Sequence, residues 1–153
     1  MSQTTVKEQG VALVGQKYAL LKAENVLTLA AEGRVGFGRF VALGTNKELQ
    51  GKLPGAAGDI TSIKANSGVA LQSHAMENAQ DGLAPGYLDK TRMSVLSKGA
   101  VYVDVYADVD PTGDVFVRHA AYGGLDELGC FASVTVVGLS QLVCRSWVTG
   151  FLD

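Results

Sequence analysis

Apolar and polar positions alternate cleanly from Ala100 to Tyr106. Val101, Val103 and Val105 fall on one face, and Tyr102, Asp104 and Tyr106 on the other. A period of two is the signature of a half-buried strand. Asp110-Pro111-Thr112-Gly113 then reads as a turn, with proline presetting φ and glycine closing it. Asp114 to Arg118 follows as a returning strand, so the pattern predicts a β-hairpin. Cys130 to Val137 is a second β-rich run, ended by Gly138, and Leu142 to Val148 is a third. Phe37 to Leu43 and Gly68 to Leu71 complete the predicted strands.

Helical pattern is scarce. Gln16 to Leu29 contains good helix formers, yet its apolar residues keep no firm 3.6-residue period, and Val26-Leu27-Thr28-Leu29 suits a strand equally well. Ser73 to Gln80 has room for one or two exposed helical turns, with Ser73 as the cap. Leu49 to Asp59, rich in glycine and alanine around Pro54, reads as a long loop. The 19 glycines punctuate the apolar runs at short intervals, a rhythm suited to many short strands joined by turns. No fixed repeat period argues for a solenoid or propeller. The expected fold is mainly β, a compact antiparallel β-sandwich or jelly-roll-like barrel with little helix. Residues 1–10 are too short and polar for a core element and are expected to form an extended N-terminal arm, ahead of a single β-rich domain over 11–153.

Composition narrows the function classes. The chain has 153 residues, 47% hydrophobic and 18% charged, enough for a conventional core. Its formal charge is −2, from 13 Lys and Arg against 15 Asp and Glu, with no basic stripe for phosphates and no basic amphipathic helix for a membrane surface. The start of the chain lacks the apolar core of a signal peptide, and no apolar stretch approaches the ~20 residues of a membrane span. These features predict a soluble protein made in the cytoplasm that binds neither nucleic acid nor membrane. Cys130 and Cys144 lie in apolar β-like segments and are expected to be buried thiols.

Candidate chemistry is thin. His74 and His119 are the two histidines, and neither belongs to a zinc-binding spacing with the cysteines or with each other. Gly33-Arg34-Val35-Gly36-Phe37-Gly38 reads GxxGxG, the wrong order for a dinucleotide loop, and is better explained as turn glycines before a strand. Ser73 and His74 are adjacent, so in a strand they would face apart, and no GxSxG elbow is present. Asp104, Asp108, Asp110 and Asp114 surround the predicted hairpin without an EF-hand pattern and suit solvated turns. No catalytic residue, metal ligand or cofactor site is assigned, and the chain is not expected to be an enzyme. Tyr102, Tyr106, Arg118, Tyr122 and Trp147 are the candidate protein-interface residues, because Tyr, Trp and Arg concentrate at interface centres. A core edge with tyrosine hydroxyls in water is the alternative role for them.

Four ordered segments resemble a known family. Gly36-Phe37-Gly38-Arg39-Phe40-Val41 is similar to the "FG..V" segment of structural cement proteins of tailed bacteriophages, and Gly68 to Ala75 resembles their "GVAL.S" strand. Tyr87 with Met93 to Val103 resembles the "Y....SVL.KG.V.V" stretch, and Gly113 to Arg118 the "GD.V..R" segment. The likeness covers roughly residues 10 to 150; from Leu125 onward it is a general β pattern. The resemblance implies a virion protein on the capsid surface, synthesised in the bacterial host cytoplasm. Its implied partners are the major capsid protein and further copies of itself, as a dimer or trimer, with no cofactor. Two other classes stay open: a carbohydrate-binding β-sandwich using Trp147 and the tyrosines to stack on sugars, and a small hydrolase with a site assembled across strands.

Overall fold

The structure, a computed structural model, describes residues 13–18, 24–61, 67–73, 85–103, 105, 113–120, 128–132 and 139–141. Among these the chain is mainly β. The strands are β1 (Asn25–Ala31), β2 (Val35–Gly36), β3 (Phe40–Leu43), β4 (Gln50–Lys52), β5 (Gly68–Ala70), β6 (Gly86–Tyr87), β7 (Arg92–Lys98), β8 (Phe116–Arg118), β9 (Phe131–Ala132) and β10 (Leu139–Gln141). The short helix α1 spans Ala57–Thr61.

Five strands close into a barrel in the order β1-β4-β3-β5-β7. The seam is the long antiparallel pairing of β1 with β7, in which Leu27 faces Val95 and Leu29 faces Met93. Pairing is antiparallel around the barrel except between β1 and β4, which run parallel, a departure from the all-antiparallel expectation. A five-stranded barrel is narrow, so side chains alone fill it. Leu29, Val41, Ala70, Met93 and Val95 pack in one buried cluster. Gly51 belongs to the same interior: a methyl group there would sit 2.6 Å from both Met93 Cε and Val41 Cγ1. The two-stranded sheet of β2 and β6 contributes Val35 and Tyr87 to this cluster, and Phe37 stands edge-on to Tyr87 with ring centroids 5.3 Å apart.

A second cluster forms on the other face of β3 and β5. Phe40, Ala42 and Val69 point away from the interior and meet Ile60 of α1, Val117 of β8 and Phe131 of β9. The covering strands form a sheet in the order β10-β8-β9. This explains the sequence of β3, Phe-Val-Ala-Leu, which is apolar without alternation: a strand covered on both faces has no polar side.

Several expectations are revised. The strand predicted over Phe37 to Leu43 begins at Phe40, because Phe37 and Gly38 turn the chain and Gly38 has φ +69°. Gly33 also has positive φ, so the GxxGxG segment is built as two turns flanking the short strand β2 rather than as a nucleotide loop. The ambiguous stretch before Leu29 is strand from Asn25 onward. The predicted loop over 49–59 contains β4 and α1 instead. In α1, Asp59 accepts from the Gly55 and Ala56 amides at 2.9 and 3.2 Å, which satisfies two donors that an isolated turn leaves open.

The predicted hairpin is not formed by the described residues. β8 exists, but its two neighbours are β9 and β10. Val101 instead bridges Lys17, and Val105 bridges Phe131 in parallel. Val101 and Val103 still turn toward the second core cluster, as their alternation predicted, while Val105 is exposed. The turn at 110–112, the helical turns at 74–80 and the run over 142–148 lie outside the described residues.

Candidate docking surface

Residues 13–18 form a strap fastened to the barrel by its backbone. The Gly15 amide donates to Tyr102 O at 2.7 Å, the Tyr102 amide to Gln16 O at 2.9 Å, and the Tyr18 amide to Ala100 O at 3.0 Å. From the other side the Gln72 amide donates to Gly15 O at 2.9 Å. Gly15 is required at this point. Its φ is +82°, and a Cβ there would lie 2.8 Å from Gln72 N, 3.0 Å from Gly38 N and 3.1 Å from Ala70 O. These are backbone atoms of three separate segments, and none can move aside alone. The Lys17 ammonium pairs with Glu24 Oε2 at 3.0 Å just past the strap.

The strap side chains are outside. Leu13 is 51%, Val14 40% and Tyr18 55% exposed. The Tyr18 ring meets Tyr102 edge-on, with centroids 5.8 Å apart, and Val14 lies over Gly38. Leu13, Val14 and Tyr18 are thus exposed apolar residues on one short strap, and the Tyr18 ring adjoins Tyr102; exposed apolar and aromatic side chains of this kind are a feature of interaction sites.

Of the five interface residues expected from the sequence, Tyr102 lies on this surface. Arg118 is in the middle strand of the three-stranded sheet, with its side chain fully buried, so it offers no cation on the surface of this chain. Tyr106, Tyr122 and Trp147 lie outside the described residues. The sequence did not single out Leu13, Val14 and Tyr18: Tyr18 lies inside the helix candidate that starts at Gln16, and for all three the backbone fastening leaves no period in the sequence. Cys130 is buried, whereas Cys144 and His74 are outside the described residues. Among the described residues no group of three or more His, Cys, Asp and Glu side chains gathers to hold a metal.

A second polar constellation ties loops around the turn after β1. Glu32 accepts from the Thr45 amide at 2.6 Å and from Thr45 Oγ1 at 2.7 Å. Asp89 accepts from the Gly33 amide at 2.8 Å. The side-chain and backbone hydrogen bonds from Thr45 hold the Glu32 carboxyl below its ordinary value, and Lys52 adds to this. Leu49 and Leu88 are exposed on these loops, but as single residues among Lys47, Glu48, Asp89 and Lys90.

The profile of the family described as structural cement protein (E217 gp24/Pam3 gp6) matches residues 1–148. The chain belongs to the phage structural cement family. The match spans the strap, the barrel and the three-stranded sheet, so the cement-family unit includes both core clusters. A search of curated proteins gives no match. Among the described residues, the exposed apolar side chains of the strap are compatible with membership in a structural family.

Proposed function

We propose that this protein binds the outer surface of an assembled phage capsid and stabilises it by bridging capsid subunits. The supporting observation is the family match over 1–148, joined to an exposed apolar strap held rigidly by backbone hydrogen bonds. A protein that binds the closed shell but not its separated subunits shifts the assembly equilibrium by mass action. Each contact then needs only the ~1,200–2,000 Å² of an ordinary interface, because repetition over the shell and self-association of the cement as a dimer or trimer multiply its effect. In this reading the major capsid protein is the partner, and the virion surface is the location. Tyr102, with Tyr106, Tyr122 and Trp147, supplies the aromatic contacts.

The test is thermal. Particles with and without this protein are heated, and genome release is followed by a dye that reports exposed DNA. Release at a higher temperature with the protein present is the expected result. Equal release temperatures, together with no binding to shells lacking it, would remove the cement reading.

A further inference from the structure

We infer that the strap over residues 13–18 is an exchangeable element, and that its seat on the barrel also takes the same strap from a second copy of this chain. The inference goes beyond shell binding and stands apart from it, because it concerns how copies of the protein join. What fastens the strap is main chain: backbone hydrogen bonds tie it to Tyr102, Ala100 and Gln72. No strap side chain belongs to either core cluster, so the strap can leave without opening either one. Segments held with little buried apolar contact open at lower free energy than the core they lie on. The strap also carries its own shape. The Gln16 amide donates to Leu13 O at 3.0 Å, and Gln16 Oε1 accepts from the Leu13 amide at 3.1 Å. Both bonds lie within the strap and travel with it.

The seat is built without the strap. The Gly38 amide donates to Ala70 O at 2.8 Å, and the Ala70 amide to Arg39 O at 3.0 Å. Ala70 belongs to the interior cluster, while Val101 and Val103, on either side of Tyr102, pack against the second cluster. The walls of the slot are therefore set by cores that the strap does not enter. Its selectivity lies in Gly15. Only a glycine, at φ +82°, fits between Gln72 N, Gly38 N and Ala70 O. Glu24 adds a charge mark, pairing with Lys17 at 3.0 Å. A strap arriving from another copy meets the same amides and carbonyls, the same cradle and the same carboxylate. The seat cannot distinguish it from its own, so the concentration of copies decides which strap it holds. A peptide without glycine at this point is refused, which makes a second copy the fitting occupant.

The experiment traps strap and seat with a disulfide. Lys17 and Val101 face each other in an antiparallel bridge. The flanking bonds, from the Tyr18 amide to Ala100 O and from the Tyr102 amide to Gln16 O, make them a non-hydrogen-bonded pair. Cα atoms in such a pair lie about 4.5 Å apart, within reach of a disulfide. Full-length Lys17→Cys and Val101→Cys are prepared separately, mixed over a range of concentrations and oxidised, and peptide mapping assigns the bond. A chain carrying both changes reports whether the strap reaches its own seat. The expected result is a bond between positions 17 and 101 of different chains, with a yield that rises with concentration. That bond should be lost when the Lys17→Cys copy also carries Gly15→Ala. If the doubly changed chain closes the bond internally while the mixture gives none at any concentration, the strap keeps to its own seat and the inference fails. A bond in the mixture that survives Gly15→Ala would arise without seating and would overturn it equally. No bond between these positions in either preparation would show that the strap is not seated as described. None of these outcomes bears on shell binding, which the genome-release experiment decides separately.

Discussion

The Tyr87 hydroxyl donates to the Leu71 carbonyl at 2.8 Å, joining β6 to the end of β5 across the mouth of the barrel. The same oxygen accepts from the Ser94 amide at 3.4 Å. It thus sits where the ladder between β5 and β7 comes apart, past the pairing of Ala70 with Val95. The ring is buried in the interior cluster and packs edge-on against Phe37, so this side chain closes the core and also serves the backbone.

Replacing Tyr87 with Phe keeps the ring and removes the hydroxyl. The Leu71 carbonyl then loses its partner in a buried place, at a cost of about 1–3 kcal/mol. Burial raises the Tyr87 pKa above the ordinary tyrosine value, outweighing the opposing bonds with Ser94. A raised folded pKa means that the stabilisation is fully present below the ordinary value and is lost as pH climbs through the raised one. Urea titrations across the alkaline range should therefore show wild type losing stability more steeply than Tyr87→Phe.

Gly51 lies at a tightly packed point of the barrel interior. In Gly51→Ala the new methyl meets Met93 Cε and Val41 Cγ1, each at 2.6 Å, and overpacking of this kind costs about 1–3 kcal/mol. Met93 has a flexible end that can swing, but Val41 does not. Val41→Ala should therefore offset part of the cost when combined with Gly51→Ala. A double-mutant cycle by chemical denaturation should give a favourable coupling between the two positions; simple additivity would mean that the interior relaxes elsewhere.

How much of this was legible depended on whether contacts were local. β3 and β5 stood out because strands covered on both faces read as uninterrupted apolar runs, Phe40 to Leu43 and Gly68 to Ala70. β4 was hidden by Gly51, which the crowded interior demands but which reads as a loop signal in sequence. The alternation of Val101 and Val103 gave the right face and the wrong partner. Period two says which side is apolar, whereas the choice between neighbouring strand and distant strap is made by tertiary packing. Arg118 illustrates the same limit: a lone cation in a strand looks like a surface residue, and only the sheet order β10-β8-β9 puts it in the middle. Tyr102 was recognisable as an aromatic on the polar face; Leu13, Val14 and Tyr18 were not, because backbone hydrogen bonds leave no signature in side-chain pattern.

The Glu32–Thr45 latch should respond to acid. The Thr45 side-chain and backbone bonds lower the Glu32 pKa, so the latch contributes above the ordinary carboxylate value and is lost as pH falls through the depressed one. Glu32→Gln removes the charge and with it that pH dependence. Following the Thr45 amide by NMR, the wild-type resonance should shift on acidification and the variant resonance should not. A flat wild-type profile would mean that the carboxylate bonds do not persist in solution.

Gly15 allows the strap to be released without cutting the chain. Gly15→Ala forces a Cβ onto Gln72 N, Gly38 N and Ala70 O and leaves alanine at φ +82°, where the conformation alone costs an L-residue about 1–2 kcal/mol. The three contacts are main-chain atoms, so the strap should leave its seat rather than deform it. Once it leaves, the Tyr102 and Gln72 amides lose their acceptors in Gln16 and Gly15. Hydrogen exchange should then accelerate at those two amides, while amides in the β1–β7 seam stay protected, because that pairing is independent of the strap. Deleting residues 1–10 is the comparison: the strap hydrogen bonds described above join residues 13–18 to Ala100, Tyr102 and Gln72, and the exchange pattern at Tyr102 and Gln72 should be that of wild type. Under the proposed function both changes should weaken attachment to shells, the deletion by removing residues 1–10 and Gly15→Ala by releasing the strap that follows them. If Gly15→Ala leaves Tyr102 and Gln72 protected, the seat tolerates a side chain and the strap is not held in the way described.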